Sequence, residues 1–112
     1  MIAMTSSQTA VVEQDAWLDG PITTEPFEAG WASEAIWFIV VLDTSGAEWI
    51  ASPEISPDGS NWVTTPLSAS LRFATVGVHA LPLEHFGVWL RLNLEPNDAS
   101  ARCKVRIVLT LK

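Results

Sequence analysis

Residues 102–112 read RCKVRIVLTLK. Cys103, Val105, Ile107, Leu109 and Leu111 alternate with Arg102, Lys104, Arg106, Val108, Thr110 and Lys112. Successive side chains of a β-strand point to opposite faces, so this period of two predicts a strand with one apolar face buried and a basic face opposite. Just upstream, VWLRLNLE repeats the pattern: Val88, Leu90, Leu92 and Leu94 against Trp89, Arg91, Asn93 and Glu95. Between the two runs, PNDASA supplies turn residues. The runs 87–95 and 102–111 are expected to pair as an antiparallel hairpin with a loop of about six residues.

The same reading extends towards the N-terminus. EAIWFIVVLD is short, rich in β-branched and aromatic residues, and apolar on both faces, which predicts a central strand rather than a helix. AEWIASPEIS alternates again, and Pro53 within it cannot donate to a ladder, which predicts an edge or a bulge there. LRFATVGVHAL, TAVVEQDAWL and PITTEPF are weaker strands. No stretch carries helical periodicity with caps. About seven or eight short strands in one chain imply an all-β fold, a single antiparallel β-sandwich, jelly-roll-like or Ig-like.

At 112 residues the chain is one domain by length and long enough to bury a core without staples. It is 48% hydrophobic and 17% charged, a globular composition. A formal charge of −7 makes it a poor partner for nucleic acid or an anionic membrane. The single cysteine, Cys103, excludes an intrachain disulfide and a Cys-rich zinc site, and its place on the apolar face predicts a buried, inert thiol. The N-terminus has neither a basic segment nor a continuous apolar run, and AIWFIVVL is too short for a membrane helix. A soluble protein made inside a cell is expected.

The stretch ISPDGSNWV, residues 55–63, is the one place where short polar residues cluster beside a tryptophan. Pro57 presets φ for a turn, Asp58 can accept backbone N–H bonds, and Gly59 supplies a positive φ. A calcium loop needs six to eight oxygen ligands, and Asp58, Ser60 and Asn61 cannot supply them. The stretch is close to an Asp box, although Asp58 and Gly59 are adjacent without the usual spacer. A structural hairpin corner follows, with Asp58, Gly59 and Asn61 forming the turn and Trp62 folded over it as an apolar anchor.

Nothing marks a catalytic centre. His79 and His85 lack metal-ligand spacing, and no GxSxG, P-loop or GxGxxG is present. A non-enzymatic protein without cofactor or metal is expected. The remaining signals concern surfaces. Of six tryptophans, Trp37 and Trp49 fall on apolar faces and are expected in the core, whereas Trp89 points outward with Arg91 and Asn93. An outward Trp89 is covered by the chain itself, anchors a protein interface, or forms a sugar platform. Charge is uneven: residues 1–71 hold ten of the thirteen acids and no Lys or Arg. Hairpin pairing would set Arg91 opposite Arg106, and like charges directly opposite need acids nearby. Intramolecular pairing with Glu48, Glu54 or Glu95 would satisfy them. The alternative is a docking face of Trp89, Arg91, Lys104 and Arg106 for an acidic protein surface.

The order AIWFIVVLDTSG, PEISPDGSNWV, a middle of small residues, GVWLRLNLEPNDAS and a final Val/Ile/Leu-rich strand resembles small β-sandwich virion proteins of tailed bacteriophages, of the head decoration (cement) kind. The resemblance covers residues 31–112. Residues 1–30 match nothing in it and are expected to form an N-terminal segment that is partly an extended arm. The resemblance implies a structural protein without catalytic residues, made in the host cytoplasm and bound to the outside of the capsid. It implies the major capsid protein as partner, and a homo-oligomer, a trimer by preference, on the particle. A carbohydrate-binding β-sandwich module is the alternative from another class.

Overall fold

A computed structural model describes residues 8–65 and 70–112. Among them no helix occurs, and ten strands form two antiparallel sheets. They are β1 (Gln8–Leu18), β2 (Ile22–Thr23), β3 (Phe27–Glu28), β4 (Ala35–Thr44), β5 (Trp49–Ser56), β6 (Val63–Thr64), β7 (Leu71–Phe73), β8 (Gly77–Leu83), β9 (Trp89–Pro96) and β10 (Cys103–Leu111).

Sheet A has the order β1-β10-β4-β8. Sheet B has the order β2-β9-β5-β6, with β3 also on β9 and β7 also on β5. β2 and β3 act as one interrupted strand along β9, and β6 and β7 as one along β5. With those pairs merged, eight strands remain, and the connectivity is that of a jelly roll rather than an Ig-like sandwich. The alternating apolar faces meet between the sheets. Trp37, Ile39, Val105, Ile107 and Leu109 come from sheet A, and Trp49, Ala51, Leu90, Leu92 and Leu94 from sheet B, all fully buried.

Three expectations are corrected. The C-terminal hairpin does not form. β9 and β10 exist close to their expected bounds, but β9 lies between β5 and the β2/β3 pair, and β10 between β1 and β4. Alternation states which face of a strand is buried, not which strand lies beside it. Here both apolar faces line the same core from opposite sides, and residues 97–102 arch between the sheets. Asp98 shapes that arch by accepting bonds from the Ser100 N–H and hydroxyl.

The second correction concerns the expected start of the sandwich at residue 31. Residues 8–28 belong to the sandwich: β1 runs the length of β10, and β2 and β3 pair with β9. Residues 1–7 lie outside the described residues. Third, β5 is not an edge. Pro53 accepts a bond from the Thr65 N–H, and a strand residue's nitrogen and carbonyl face the same side. Its missing N–H therefore falls beside Thr65, just past the end of β6, and the β5–β9 register runs through it unshifted.

Candidate functional site

The turn after β5 is built by side chains bonding to backbone. Asp58 Oδ1 accepts from the N–H groups of Ser60 and Asn61, at 2.9 Å each, and from the Ser56 hydroxyl. Its Oδ2 accepts from the Asn61 side-chain amide at 2.7 Å. These bonds favour the charged form and hold the carboxyl well below the usual carboxylate range, the Asn61 and Ser60 N–H groups contributing most. Gly59 sits at φ +82°, and a Cβ there would come within 3.3 Å of the Trp89 indole. The turn's backbone therefore lies directly on the ring of Trp89.

Next to it, on the outer face of sheet B, Glu54 is the register partner of Arg91. Arg91 Nε donates to Glu54 Oε1 at 2.8 Å, and its guanidinium lies 4.2 Å above the Trp62 ring. Trp62 and Trp89 thus each have one face occupied from within the chain, by Arg91 and by Gly59.

Sheet A presents a different outer face. Its side chains opposite the core form cross-strand rows. One is Val11–Val108–Phe38–Ala80, reaching across all four strands. On either side lie Arg106–Val40–Val78 and Thr9–Thr110–Ile36–Pro82. Val78 is 67% exposed and Val11 51%, and Leu42 is exposed at the end of β4. A groove of about 150 Å³ runs between Ile36, Phe38 and Thr110, closed at one end by Glu34 and Lys112. β4 is interior to its sheet, as its sequence predicts, but only one of its two apolar faces is covered.

The rim of this face carries most of the bases. Arg106 makes a two-pronged pair with Asp15, Nε to Oδ1 at 2.9 Å and Nη2 to Oδ2 at 3.0 Å. Asp15 has a φ of 51° within the bulged part of β1, and the bulge aims its carboxylate at Arg106. The Arg102 guanidinium lies 4.7 Å above the half-exposed Trp17. Lys104 and Lys112 enter no ion pair among the described residues.

The four residues expected to share a docking face are therefore divided. Trp89 and Arg91 stand on sheet B, and Lys104 and Arg106 on sheet A. Arg106 faces Val40 in the register, not Arg91. The residues that pattern reading missed are Phe38, Val78 and Ala80, together with Val11 and Val108 on β1 and β10. The signal available for them was the double-sided apolarity of AIWFIVVLD, which reads as complete burial until the layers are counted. At one end of the sandwich, a cleft of about 500 Å³ lies between residues 32–34 and 84–87, with Glu34, Glu84 and His85 on its walls and Phe86 as its floor.

No protein-family model and no curated protein matches the chain. Among solved structures, the chain is similar to the SPBc2 prophage-derived protein YomS, with a TM-score of 0.66 at 13% identity, covering 99% of this chain and 96% of that one. It is also similar to TmCBM61, solved in complex with β-1,4-galactotriose, with a TM-score of 0.44 at 13% identity, covering 93% and 86%. What this chain has in common with YomS is the fold, a jelly-roll sandwich matched from end to end.

Proposed function

We propose that this chain is a non-enzymatic structural protein of a phage particle, a head decoration protein that binds the outside of the capsid through the outer face of sheet A. The observation that supports this most is the uncovered row Val11–Val108–Phe38–Ala80 with its flanking rows. Contiguous apolar surface on a water-facing sheet marks a contact with another protein. Four of the six bases, Arg102, Lys104, Arg106 and Lys112, rim or flank that face on a chain of net charge −7; Arg106 is already paired with Asp15, and Lys104 and Lys112 carry charge without an ion pair among the described residues. A capsid protein with an acidic rim around an apolar contact complements it, and such complementarity orients docking. The end-to-end likeness to a prophage-derived protein supports a phage origin.

On this reading Lys104 and Arg106 are contact residues, and Trp89 and Arg91 are structural. The major capsid protein is the partner, neighbouring copies assemble on the shell, and the protein is made in the host cytoplasm before it joins the virion. The competing reading, a carbohydrate-binding module with Trp89 as its platform, has less support, because Gly59 covers one face of that ring and the ring is only partly exposed.

The test is binding to capsids assembled without this protein. Wild type is expected to decorate them stoichiometrically. Phe38→Glu is expected to abolish decoration while its circular dichroism stays that of the wild type, and Arg91→Gln is expected to decorate normally. Decoration by Phe38→Glu as tight as by wild type overturns the proposal, as does absence of the protein from purified particles.

A further inference from the structure

Among the described residues the two sheets have four lateral edges, and three are blunted in ways that prevent a further strand from pairing. β1 is interrupted by two register shifts, between Val11 and Glu13 and between Glu13 and Ala16, and carries the carboxylates of Glu13 and Asp15. On sheet B, one edge consists of the two-residue strands β2 and β3, and the other of β6 and β7, two and three residues long. Bulges, brevity and charge are the usual protections of a sheet edge.

β8 has none of the three, and its one protection is a proline, Pro82. The strand pairs with β4 over seven consecutive residues without a shift. Its sequence, GVHALPL, contains no Asp, Glu, Lys or Arg. Val78 is 67% exposed, and Val76 just before the strand 61%. Its one unusual residue, Pro82, suits an edge, where the side lacking an N–H is turned away from the neighbouring strand. That orientation turns the N–H and C=O groups of Val78 and Ala80 outward as well, since groups two residues apart point the same way.

We infer that β8 is a homodimerisation edge, on which the β8 of a second copy pairs antiparallel about a two-fold axis through Ala80. The occupant is a second copy because the edge is self-complementary. A net charge of −7 on each copy opposes their association, and β8, long enough to pair and free of Asp, Glu, Lys and Arg, is the edge where that repulsion is least. In an antiparallel pair centred on Ala80, Ala80 bonds reciprocally to the Ala80 of the second copy. Val78 lies opposite the Pro82 of that copy, whose carbonyl accepts the Val78 N–H. Pro82 takes part as an acceptor only, so the register is self-complementary despite the proline. The pairing joins two copies of sheet A into one eight-stranded sheet. It also makes their apolar outer faces continuous through Val78, Ala80 and Pro82, doubling the docking face proposed above. The dimer forms in solution and does not depend on a capsid, so it stands or falls separately from the decoration reading.

The test is analytical ultracentrifugation of the full chain at about 10–200 µM, with hydrogen exchange read amide by amide. Wild type is expected to be a dimer whose Val78 and Ala80 amides are protected. Val78→Lys, which adds an edge charge on an exposed side chain, is expected to be a folded monomer in which both amides exchange freely. Ala80→Pro removes the central donor and is expected to be monomeric; the lysine variant covers the case in which the proline unfolds the strand. Phe38→Glu, on the sheet face rather than its edge, is expected to remain a dimer. A wild type that stays monomeric throughout overturns the inference. So does a dimer that survives Val78→Lys, or one lost in Phe38→Glu and kept in Val78→Lys.

Discussion

The guanidinium of Arg91 lies 4.2 Å above the ring of Trp62 while its Nε donates to Glu54 at 2.8 Å. Glu54 belongs to β5, the neighbour of β9, and Trp62 to the segment that folds back after the turn. One cation is thus held between an anion and an aromatic face, on a surface where both partner side chains of the ion pair are mostly shielded. This makes Arg91 a clamp between β5, β9 and the 57–62 turn.

Arg91→Ala and Glu54→Ala, singly and together, are expected to show a coupling energy of about 1 kcal/mol in chemical denaturation, at the upper end for partly exposed pairs. Trp62→Ala is expected to lower the worth of Arg91 by a further 0.5–1 kcal/mol or so. Additive single and double variants would show that the clamp carries no energy.

Gly59→Ala is expected to destabilise by about 1–2 kcal/mol, because an L-residue at φ +82° is strained and its Cβ presses on Trp89. The companion observable is Trp fluorescence, which should shift as the Trp89 ring is displaced. An unchanged midpoint and spectrum would mean that the turn relaxes freely.

Asp58 titrates below its ordinary range in the folded protein because the Asn61 and Ser60 N–H groups bond its charged form. A depressed folded value means stability that is present above the unfolded value and is lost as pH falls through the folded one. Wild type is therefore expected to lose thermal stability as pH drops below about 4, where an unfolded aspartate takes up its proton. Asp58→Ala should be less stable at neutral pH and should show a flatter acid dependence over that range. Parallel curves for the two proteins would remove Asp58 from the account.

Cys103 is fully buried, and burial pushes its thiol up to about 11. Thiolate is the reactive form, so at pH 8 the native thiol should react with a disulfide reagent slower than the unfolded one, by on the order of a hundredfold. Comparable rates with and without denaturant would place the thiol at the surface.

In the core, Leu92→Ala and Ile107→Ala should each cost about 2–5 kcal/mol, since both side chains are fully buried in facing sheets. A cost below 1 kcal/mol at either would mean that the opposite sheet collapses into the space.

Much of the fold was legible in the sequence, and for one reason: side-chain period two belongs to the strand alone. Alternation by itself determined that 103–111 and 89–96 are strands, which of their faces are buried, that Trp49 lies inside, and that the fold is an antiparallel sandwich; Trp37 was legible from the apolar character of its whole strand. The turn at Pro57–Asn61 was legible because its residues bond to their own backbone within a few positions. Strand pairing was not legible. It joins Glu54 to Arg91, and Arg106 to Val40, across long separations, and two adjacent alternating runs look the same whether they form a hairpin or face one another across a core. Only the tertiary structure decided that β9 and β10 belong to different sheets, and with that it separated Trp89 and Arg91 from Lys104 and Arg106. It also decided which face of β4 stays open. The sequence marks both faces as apolar, but a two-layer sandwich has no third layer to cover the second one.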